Sequence, residues 1–380
     1  MKKINKNLSS RKKIAWVTPD YFIDCDFNPE ILGGILKEYD IVWYILLPLN
    51  NARFKEMHFA DLKMLPGLTI EFIYARYRQR DPRRLKYYYN LFSQINNQLP
   101  NLVYLNCVPD PYMVPILWMF DKKRTIICAH DGQVHAGFDF KYITAVSFKL
   151  SYRQFKHVCM FSSSQAKIFH NNFPNAEIYT INLALKSFGR SIVQKPKEEI
   201  VFLSFGVINY SKNIELLIQA ACNIYEKGFR NFKVSINGYC DNWSYYESFI
   251  LYPEIFICKI GIIDNAEIPA LFANASYFVQ PYRHVSQSGA MKVAFYYNLP
   301  VIASNYSGFS DEIKEGTNGF LFEAGSLSDL ERVMIKTLTE SEVDHDMLLE
   351  RMKAYTFANY SPNIIANKYL KMFNTVSNEA

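Results

Sequence analysis

Metal-binding spacings and disulfide frameworks are missing from this sequence of 380 residues. Its seven cysteines are scattered along the chain, at positions 25, 107, 128, 159, 222, 240 and 258. They form no Cys-x-x-Cys pair, and no cluster of His and Asp residues has the spacing of metal ligands. Scattered cysteines of this kind are typical of reduced, mostly buried thiols in the cytosol. We therefore expect no metal site.

Long apolar runs are also missing. Met1 to Lys6 form a basic flank with no apolar core behind it, so no signal peptide is predicted. No apolar run approaches the length that a membrane-spanning helix needs. The expected location is the cytoplasm, and a peripheral place at the inner face of the cell membrane is left open.

The charge balance has no strong bias. The net charge of +6 is modest and does not by itself predict nucleic-acid binding. A hydrophobic fraction of 49% with 21% charged residues is typical of a soluble globular protein. The length is sufficient for two domains with ample core.

Short apolar runs alternate with helical stretches along the whole chain. In the first half they predict strands at 13–18, 41–47, 68–74, 102–105 and 124–129. The pattern restarts after Pro196, with strands at 200–205, 232–236, 255–259, 277–279 and 301–303. This alternation indicates parallel sheets covered on both faces. We predict an α/β fold of two doubly wound Rossmann-like domains facing a central cleft, joined by a linker at 185–199, with ligands at the carboxyl ends of the strands.

The stretch 280–304 predicts a loop, a short apolar helix and a buried strand. Ser286, Ser288 and Gly289 supply the small residues and the cap that begin the helix. The first turn of such a helix presents free N–H groups and the positive end of its dipole, which favour a phosphate or diphosphate. Arg283, just upstream, adds a positive charge.

Several spaced motifs occur here in order: Ser286-Gln-Ser-Gly289, Ala294, Pro300-Val-Ile-Ala-Ser304, Ser307-Gly308 and Gly316-Thr-Asn-Gly319. Together they resemble the nucleotide-sugar site of retaining family 4 glycosyltransferases with the GT-B fold, in the branch with a Ser-Gln-Ser-Gly core. The resemblance is good over residues 200–325 and loose over the N-terminal half.

The resemblance implies an enzyme that moves a sugar from a nucleotide-diphosphate sugar, most often UDP-linked, with retention of configuration. It implies a glycan or lipid-linked glycan acceptor in polysaccharide biosynthesis, and no metal or other cofactor. Residues 1–190 would bind the acceptor and 191–360 the nucleotide sugar, with the last helix, 361–380, crossing back onto the first domain.

A second glycine turn follows the predicted strand at 200–205. Gly206 lets the backbone approach a ligand closely, and Lys212 lies near the start of the next helix. The family has an Arg and a Lys on the donor diphosphate here; Lys212 matches the Lys, but Val207 stands in the Arg position. Arg283 is the expected replacement, and an ordinary solvated lysine is the alternative for Lys212. The predicted diphosphate site comprises Gly206, Lys212, Arg283, Ser288 and Gly289.

The family's usual pair of Glu residues is also missing, since Val285 and Val293 stand in their places. Neither valine can hydrogen-bond the donor sugar or the ribose, so the donor's identity stays open. A plain acid at a helix N-terminus is the alternative for Asp311. The predicted contacts to the donor sugar and nucleotide are Asn209, Gly238, His284, Gln287 and Asp311.

His130 and Asp131 follow a buried strand, where the chemistry of such folds takes place. They resemble the family's His-Asp segment, whose His lies beside the reacting sugar, so they are the predicted catalytic residues. A satisfied buried histidine is the alternative for His130 and the better interpretation for His135. Residues 162–165, after the apolar run at 158–161, resemble a strand-to-helix turn and read as a structural helix cap.

Residues 76–92 concentrate basic and aromatic side chains, a composition that fits an anionic membrane surface. The tyrosines and Phe92 would then lie at the level of the lipid headgroups. The alternative is a basic helix on the solvent face with its tyrosines packed inward.

Two other functions fit the sequence less well. The missing Glu pair allows a non-catalytic protein that binds a nucleotide or carbohydrate on the same scaffold. A GT-B epimerase or phosphorylase is a further alternative, but the sequence has no motif for the lysine-linked pyridoxal phosphate that such phosphorylases carry. Turnover of a nucleotide sugar separates the enzymes from the binding protein.

Overall fold

The computed structural model describes residues 11–77, 81–107, 110–134, 141–190 and 199–379. It divides into two compact units. The N-terminal unit comprises the chain up to Ala184 and again from Pro362 onward, and the C-terminal unit spans Leu185–Ser361. The predictions at His135, at 78–80 and at 191–198 of the linker lie outside the described residues.

The N-terminal unit is built on a sheet of seven parallel strands in the order β3-β2-β1-β4-β5-β6-β7. The strands are β1 (Lys12–Pro19), β2 (Tyr39–Pro48), β3 (Leu68–Ala75), β4 (Leu102–Leu105), β5 (Thr125–Ala129), β6 (His157–Met160) and β7 (Glu177–Thr180). The α-helices are α1 (Ile23–Asp26), α2 (Pro29–Ile35), α3 (Arg84–Asn97), α4 (Lys141–Tyr152) and α5 (Ser163–Asn172). Short 3-10 helices are Asp20–Phe22, Glu56–Phe59, Leu62–Met64 and Val114–Met119.

Strand β1 shows why these apolar runs form a sheet that is buried on both faces. Ile14 and Trp16 belong to one hydrophobic cluster, while Ala15 and Val17 belong to another. Successive side chains of a strand point to opposite faces, so a strand between two helical layers is apolar at every position.

The last helix, α13 (Pro362–Glu379), packs in the N-terminal unit. Tyr369 and Phe373 of this helix share a cluster with Trp16 of β1. A Cβ on Gly34 of α2 would lie only 2.6 Å from the Cβ of Ala366, so the two helices are in close contact at a glycine.

The C-terminal unit has six parallel strands in the order β10-β9-β8-β11-β12-β13. They are β8 (Ile200–Phe205), β9 (Phe232–Gly238), β10 (Phe256–Ile260), β11 (Tyr277–Gln280), β12 (Val301–Ser304) and β13 (Gly319–Phe322). The helices are α6 (Ile214–Glu226), α7 (Trp243–Glu247), α8 (Ile268–Ala273), α9 (Gly289–Tyr296), α10 (Ser307–Ser310), α11 (Leu327–Thr339) and α12 (Glu342–Tyr360). The 3-10 helices are Tyr210–Lys212 and Pro253–Ile255.

The two Rossmann-like sheets confirm the predicted fold class. Each predicted strand is present within two residues at its ends. Strand β6 corresponds to the apolar run before the predicted strand-to-helix turn at 162–165. Two further strands were not predicted: β7, whose side chains are mostly half-buried, and β13, whose four residues follow a glycine turn. Among the described residues, no helix is both long enough and apolar enough to cross a membrane.

Candidate functional site

The predicted diphosphate residues lie on loops at one edge of the C-terminal sheet. Gly206 follows β8, Arg283 follows β11, and Ser288 precedes α9. Strands β8 and β11 are parallel neighbours, so the loops that follow them start side by side. We call Gly206, Lys212, Arg283, Ser288 and Gly289 the α9 site.

Two glycines bring the backbones after β8 and β9 into direct contact. Gly206 has φ of 122° and Gly238 has φ of 148°, a region that side chains with a Cβ rarely adopt. The Gly206 N–H donates to the carbonyl of Asn237 at 3.0 Å. A Cβ on Gly238 would lie 1.8 Å from the Gly206 carbonyl oxygen, so this approach requires glycine.

Asn209 shapes the loop that carries Lys212. Its side chain accepts hydrogen bonds from Ser211, at 3.1 Å from the backbone nitrogen and 2.7 Å from Oγ. It thereby caps the 3-10 helix Tyr210–Lys212, a role that sequence reasoning did not give it. Its contact with a donor stays a prediction.

Arg283 is held in place by three groups of the neighbouring loop and helix. Its guanidinium donates to the Tyr210 carbonyl at 2.6 Å and to Glu215 Oε1 at 2.8 Å, and it stacks on the Tyr210 ring at 4.1 Å. Its backbone N–H donates to the Ser211 carbonyl at 2.9 Å. Its side chain remains 26% exposed, so a fixed cation faces solvent here.

Glu215 was missed by sequence reasoning because its partner is 68 residues away. The side chain is only 8% exposed, and Oε2 has no hydrogen-bond partner in the described part of the chain. A buried carboxylate needs a paired cation, which Arg283 supplies.

A chain of contacts joins Lys212 to the cap of α9. The Lys212 ammonium lies 3.7 Å from the centre of the Tyr282 ring. The Gln280 amide donates to the Tyr282 hydroxyl at 2.9 Å and to Ser288 Oγ at 2.8 Å. Lys212 and the start of α9 therefore share one neighbourhood, although 76 residues separate Lys212 from Ser288.

The first turn of α9 is open for an anion. Ser288 is buried, and its hydroxyl accepts a hydrogen bond from the Met291 N–H at 3.3 Å, so this side chain caps the helix. Gly289 is exposed, and a Cβ placed there would meet no described atom within 4 Å. Exposed N–H groups at this helix end, beside two cations, can hold a diphosphate.

The predicted sugar and nucleotide residues flank this turn. His284 is exposed, with its ring 5.9 Å from that of Tyr306, and Gln287 is half-buried. A Cβ on Gly308 would lie 2.7 Å from the Ser286 carbonyl, so α10 presses directly on the loop before α9. Asp311 lies at the C-terminal end of α10. The alternative that it is a plain acid at a helix N-terminus is therefore wrong.

The two valines in place of the family's Glu pair differ in burial. Val293 is 2% exposed in a hydrophobic cluster with Phe278 and Phe295, whereas Val285 is half-buried. Next to Val293, the buried Lys292 contacts Glu312, a pair that sequence reasoning missed. The side chain at position 293 is therefore part of the hydrophobic core.

In the N-terminal unit, His130 lies between aromatic rings after β5. It stacks on Phe22 at 3.6 Å between ring centres, and Phe161 lies at 4.9 Å. Desolvation lowers the pKa of His130 to about 3, although the charge of Asp131 acts to raise it. His130 is therefore neutral at physiological pH, and Asp131 is half-buried beside it.

A buried acid lies behind His130. His130 Nε2 is 2.8 Å from Asn106 Oδ1, and the Asn106 amide donates to Asp26 Oδ2 at 2.8 Å. The Thr18 hydroxyl donates to the same oxygen at 2.6 Å, and so does Trp16 Nε1 at 3.0 Å. Burial raises the pKa of Asp26 to about 6, against these hydrogen bonds. We call His130, Asn106, Asp26 and Thr18 the His130 network.

The network sets the tautomer of His130. Because Asn106 turns its amide nitrogen to Asp26, its oxygen faces His130, so Nε2 carries the proton. Sequence reasoning missed Asp26 and Asn106. The available signal was weak: Asn106 directly follows β4, as His130 directly follows β5.

The turn after β6 is the structural cap that the sequence predicted. Ser162 Oγ accepts from the Gln165 N–H at 3.3 Å and so begins α5. The Gln165 side chain in turn accepts from the Gly132 N–H at 2.8 Å. This contact fixes the backbone just after Asp131.

The basic stretch at 76–92 is only partly exposed. Tyr88 and Phe92 are 2% and 0% exposed in the core of the unit, so the prediction that they lie at lipid headgroups is wrong. They face inward because α3 packs its apolar side against the sheet. Arg84 pairs with Asp110 at 3.1 Å, and Arg83 pairs with Asp81 at 2.7 Å.

One group in the described part of the chain has the ligand types of a metal site: His157, Glu177 and Glu379. Lys156 lies between the two carboxylates, at 2.6 Å from Glu177 and 2.7 Å from Glu379. The lysine thus supplies the positive charge of this cluster.

Comparisons with known proteins agree with this geometry. Residues 186–354 match the family model described as Glycosyl transferases group 1. A search of curated proteins gave no match. The matched residues lie within the C-terminal unit, which also carries the α9 site.

Solved structures resemble almost the whole chain. A glycosyltransferase from Rickettsia africae has 13% identity and a TM-score of 0.73, over 97% of this chain and 99% of that chain. Sucrose-phosphate synthase from Thermosynechococcus elongatus has 13% identity and a TM-score of 0.72, over 97% and 100%. Anabaena Alr3699/HepE, in complex with UDP and glucose, has 13% identity and a TM-score of 0.68, over 96% and 100%. These likenesses show the GT-B fold.

Proposed function

We propose that this chain, which carries a Glycosyl transferases group 1 domain on a GT-B fold, transfers a sugar from a nucleotide-diphosphate sugar with retention of configuration. The observation that carries the proposal is the α9 site. Lys212 lies in the neighbourhood of an open helix N-terminus, and Arg283 is fixed on an adjacent loop, at the carboxyl edge of a parallel sheet where such folds bind ligands.

The α9 site suits a departing diphosphate. Breaking the bond between sugar and phosphate leaves an additional negative charge on the leaving group. Arg283, Lys212 and the N–H groups at Gly289 stabilise that charge without reorganising, because Arg283 is already fixed by Tyr210 and Glu215. Arg283 thereby replaces the cation that the resembling family has where this chain has Val207, which is 56% exposed.

We assign UDP as the nucleotide because the Anabaena relative was solved with UDP and glucose. No metal takes part in the proposed transfer, since Lys212 and Arg283 supply the positive charge. The acceptor is a glycan or lipid-linked glycan of polysaccharide biosynthesis, which is what the resemblance to family 4 glycosyltransferases implies.

His130 and Asp131 act on the reacting sugar or on the acceptor hydroxyl. With its pKa lowered to about 3, His130 takes part as a neutral hydrogen-bonding group rather than as a cation. The His130 network holds the ring in one tautomer, so Nε2 carries the proton at every turnover.

A non-catalytic nucleotide-binding protein is the second candidate. The observation that favours it is the burial of Val293, which removes the family's ribose contact from this helix. Slow hydrolysis of a nucleotide sugar by the purified protein would suffice to exclude this candidate.

The test is a thermal-shift panel of UDP-, GDP- and ADP-sugars, followed by turnover of the sugar that binds. A ligand that binds only the folded state raises the melting temperature by mass action. We expect UDP-sugars to give the largest shift, and Lys212→Ala to reduce it.

Arg332→Ala and Lys353→Ala are matched controls, because both remove exposed cations of the same unit that are not among the residues of the α9 site. They should leave the shift unchanged. Absence of any shift, or equal shifts in Lys212→Ala and the parent protein, would contradict the assignment.

A further inference from the structure

A groove in the N-terminal unit has no role in the proposed transfer. It lies between the 3-10 helix Val114–Met119 and α4, and its volume is about 760 Å³. Its walls carry large side chains that face solvent: Trp118 is 68% exposed, and Tyr142 is 88% exposed. Contiguous exposed apolar surface of this kind marks an interaction site.

Helix α4 carries apolar side chains on two faces. Tyr142, Val146 and Leu150 recur every four residues on one face, and all three are at least half exposed. The other side places Tyr152 in the hydrophobic core of the unit, with Phe148 packed against it. A surface helix normally has polar residues on the face away from the core, so this second apolar stripe is available to a partner outside the chain.

The charges on and just after α4 have one sign. The sequence has no Asp or Glu from residue 140 to 176, while Lys149 and Arg153 are exposed on and just after α4. A second copy of the chain docking by the same face would place these cations opposite their own copies, which opposes such a dimer. A partner that is negatively charged at its surface and apolar beneath it fits instead.

The 3-10 helix also connects the groove with the basic stretch at 76–92. The Asn96 amide of α3 donates to the Met119 carbonyl at 2.9 Å, and the Gln154 amide donates to the Val114 carbonyl at 3.4 Å. Hydrogen bonds from α3 and from Gln154, just after α4, thus hold the 3-10 helix in place. Exposed Lys86 on α3 adds a further cation to this part of the unit.

We propose that this face, defined by Trp118, Tyr142, Ile143, Val146 and Leu150, docks on the surface of an anionic lipid bilayer. Exposed Trp and Tyr side chains favour the boundary between headgroups and acyl chains, Val146 and Leu150 extend below it, and Lys149 and Arg153 meet the anionic headgroups. The proposal depends on the proposed function in one respect only: docking would bring the enzyme to a lipid-linked acceptor.

The test is co-sedimentation of the full chain with vesicles of phosphatidylcholine alone or mixed with phosphatidylglycerol. We expect binding to the anionic vesicles that weakens with salt. The triple variant Tyr142→Ser, Val146→Ser, Leu150→Ser should bind roughly tenfold more weakly or worse, a loss equivalent to about 1.4 kcal/mol. The matched control, Ile262→Ser with Phe357→Ser, removes equally exposed apolar side chains of the C-terminal unit and should bind like the parent.

Trp118 provides a second readout that does not depend on a drastic variant. Trp16 and Trp43 are buried, and the half-buried Trp243 lies in the C-terminal unit, so a blue shift of tryptophan fluorescence on adding anionic vesicles should come mainly from Trp118. Trp118→Phe should keep most of the vesicle binding and lose most of the shift. An equal shift in Trp118→Phe would overturn the proposal.

Three other results would overturn it: no sedimentation with anionic vesicles at low salt, equal losses in the groove and control variants, or a dimer in solution that the triple variant abolishes while vesicles fail to bind. The melting-temperature shift with UDP is measured on the same proteins. Failure of vesicle binding with a retained UDP shift rejects the docking face alone, whereas loss of the UDP shift in the parent rejects the proposed function.

Discussion

The α9 site and the His130 network hold their polar groups in opposite ways. In the α9 site the cations stay at the surface, where Arg283 is 26% exposed and Lys212 lies on an aromatic ring. In the His130 network, burial lowers the pKa of His130 and raises that of Asp26, so both groups favour their neutral forms. The first arrangement suits binding of an anion, and the second suits a fixed hydrogen bond in a water-poor place.

The largest expected effect separates these two roles by kinetics. His130→Ala should lower the turnover number of the nucleotide sugar by about a hundredfold or more, because positioned hydrogen-bonding and proton-transfer groups contribute at least this much. The Michaelis constant for the donor should change little. An unchanged rate would leave His130 as a core residue and make Asp131 the better candidate.

The next prediction concerns the acid behind His130. Because burial raises the pKa of Asp26 from 3.8 to about 6, the folded protein retains a proton that the unfolded chain releases as the pH rises through this window. The free energy of unfolding therefore falls by up to about 3 kcal/mol between those two pKa values, and the loss persists at higher pH.

Asp26→Asn should remove this pH dependence, since the amide oxygen can still accept the three hydrogen bonds that Asp26 Oδ2 now accepts. Urea unfolding at pH 4.5 and pH 7 measures it in both proteins. If the stability difference between the two proteins is the same at both pH values, Asp26 titrates normally and the network is not desolvated.

A smaller effect tests the geometry of the cation in the α9 site. Arg283→Lys keeps the charge but loses the planar fork that contacts Tyr210 and Glu215 together. We expect the dissociation constant for UDP to rise roughly three- to tenfold, less than in Arg283→Ala, which also loses the charge. Equal affinities in Arg283→Lys and Arg283→Ala would mean that charge is not what Arg283 contributes.

The smallest effect is that His130 does not titrate in the physiological pH range. With its pKa lowered to about 3 by desolvation, His130 should stay neutral with the proton on Nε2 across the physiological range. Nitrogen NMR of the imidazoles, assigned with the His130→Ala variant, measures both properties. A resonance of His130 that moves between pH 5 and pH 8 would show that the ring is hydrated.

The sequence predicted those features that local patterns encode. Alternating apolar runs located the strands because helices cover both faces of each sheet, and the Ser-Gln-Ser-Gly motif located the cap of α9 because capping chemistry is local. Gly206 was identified as a turn for the same reason, although its contact with Gly238 was not.

The rest depends on contacts between residues far apart in the chain. Asn106 is 80 residues from Asp26 and 24 from His130, so no spacing reveals that they meet. The inward direction of Tyr88 was considered only as the alternative, because charged neighbours mask the apolar side of α3. The exposed apolar stripe of α4 went unnoticed, since apolar residues of a helix are normally expected to face the core.

Titration calorimetry with UDP on the parent protein, Arg283→Ala and His130→Ala tests the central claim most directly. The account predicts that UDP binds the parent, that Arg283→Ala weakens binding roughly tenfold or more through loss of a charge-assisted contact, and that His130→Ala binds within about twofold of the parent. Undiminished binding by Arg283→Ala, or an equal loss in both variants, would contradict the separation of diphosphate binding from the His130 network.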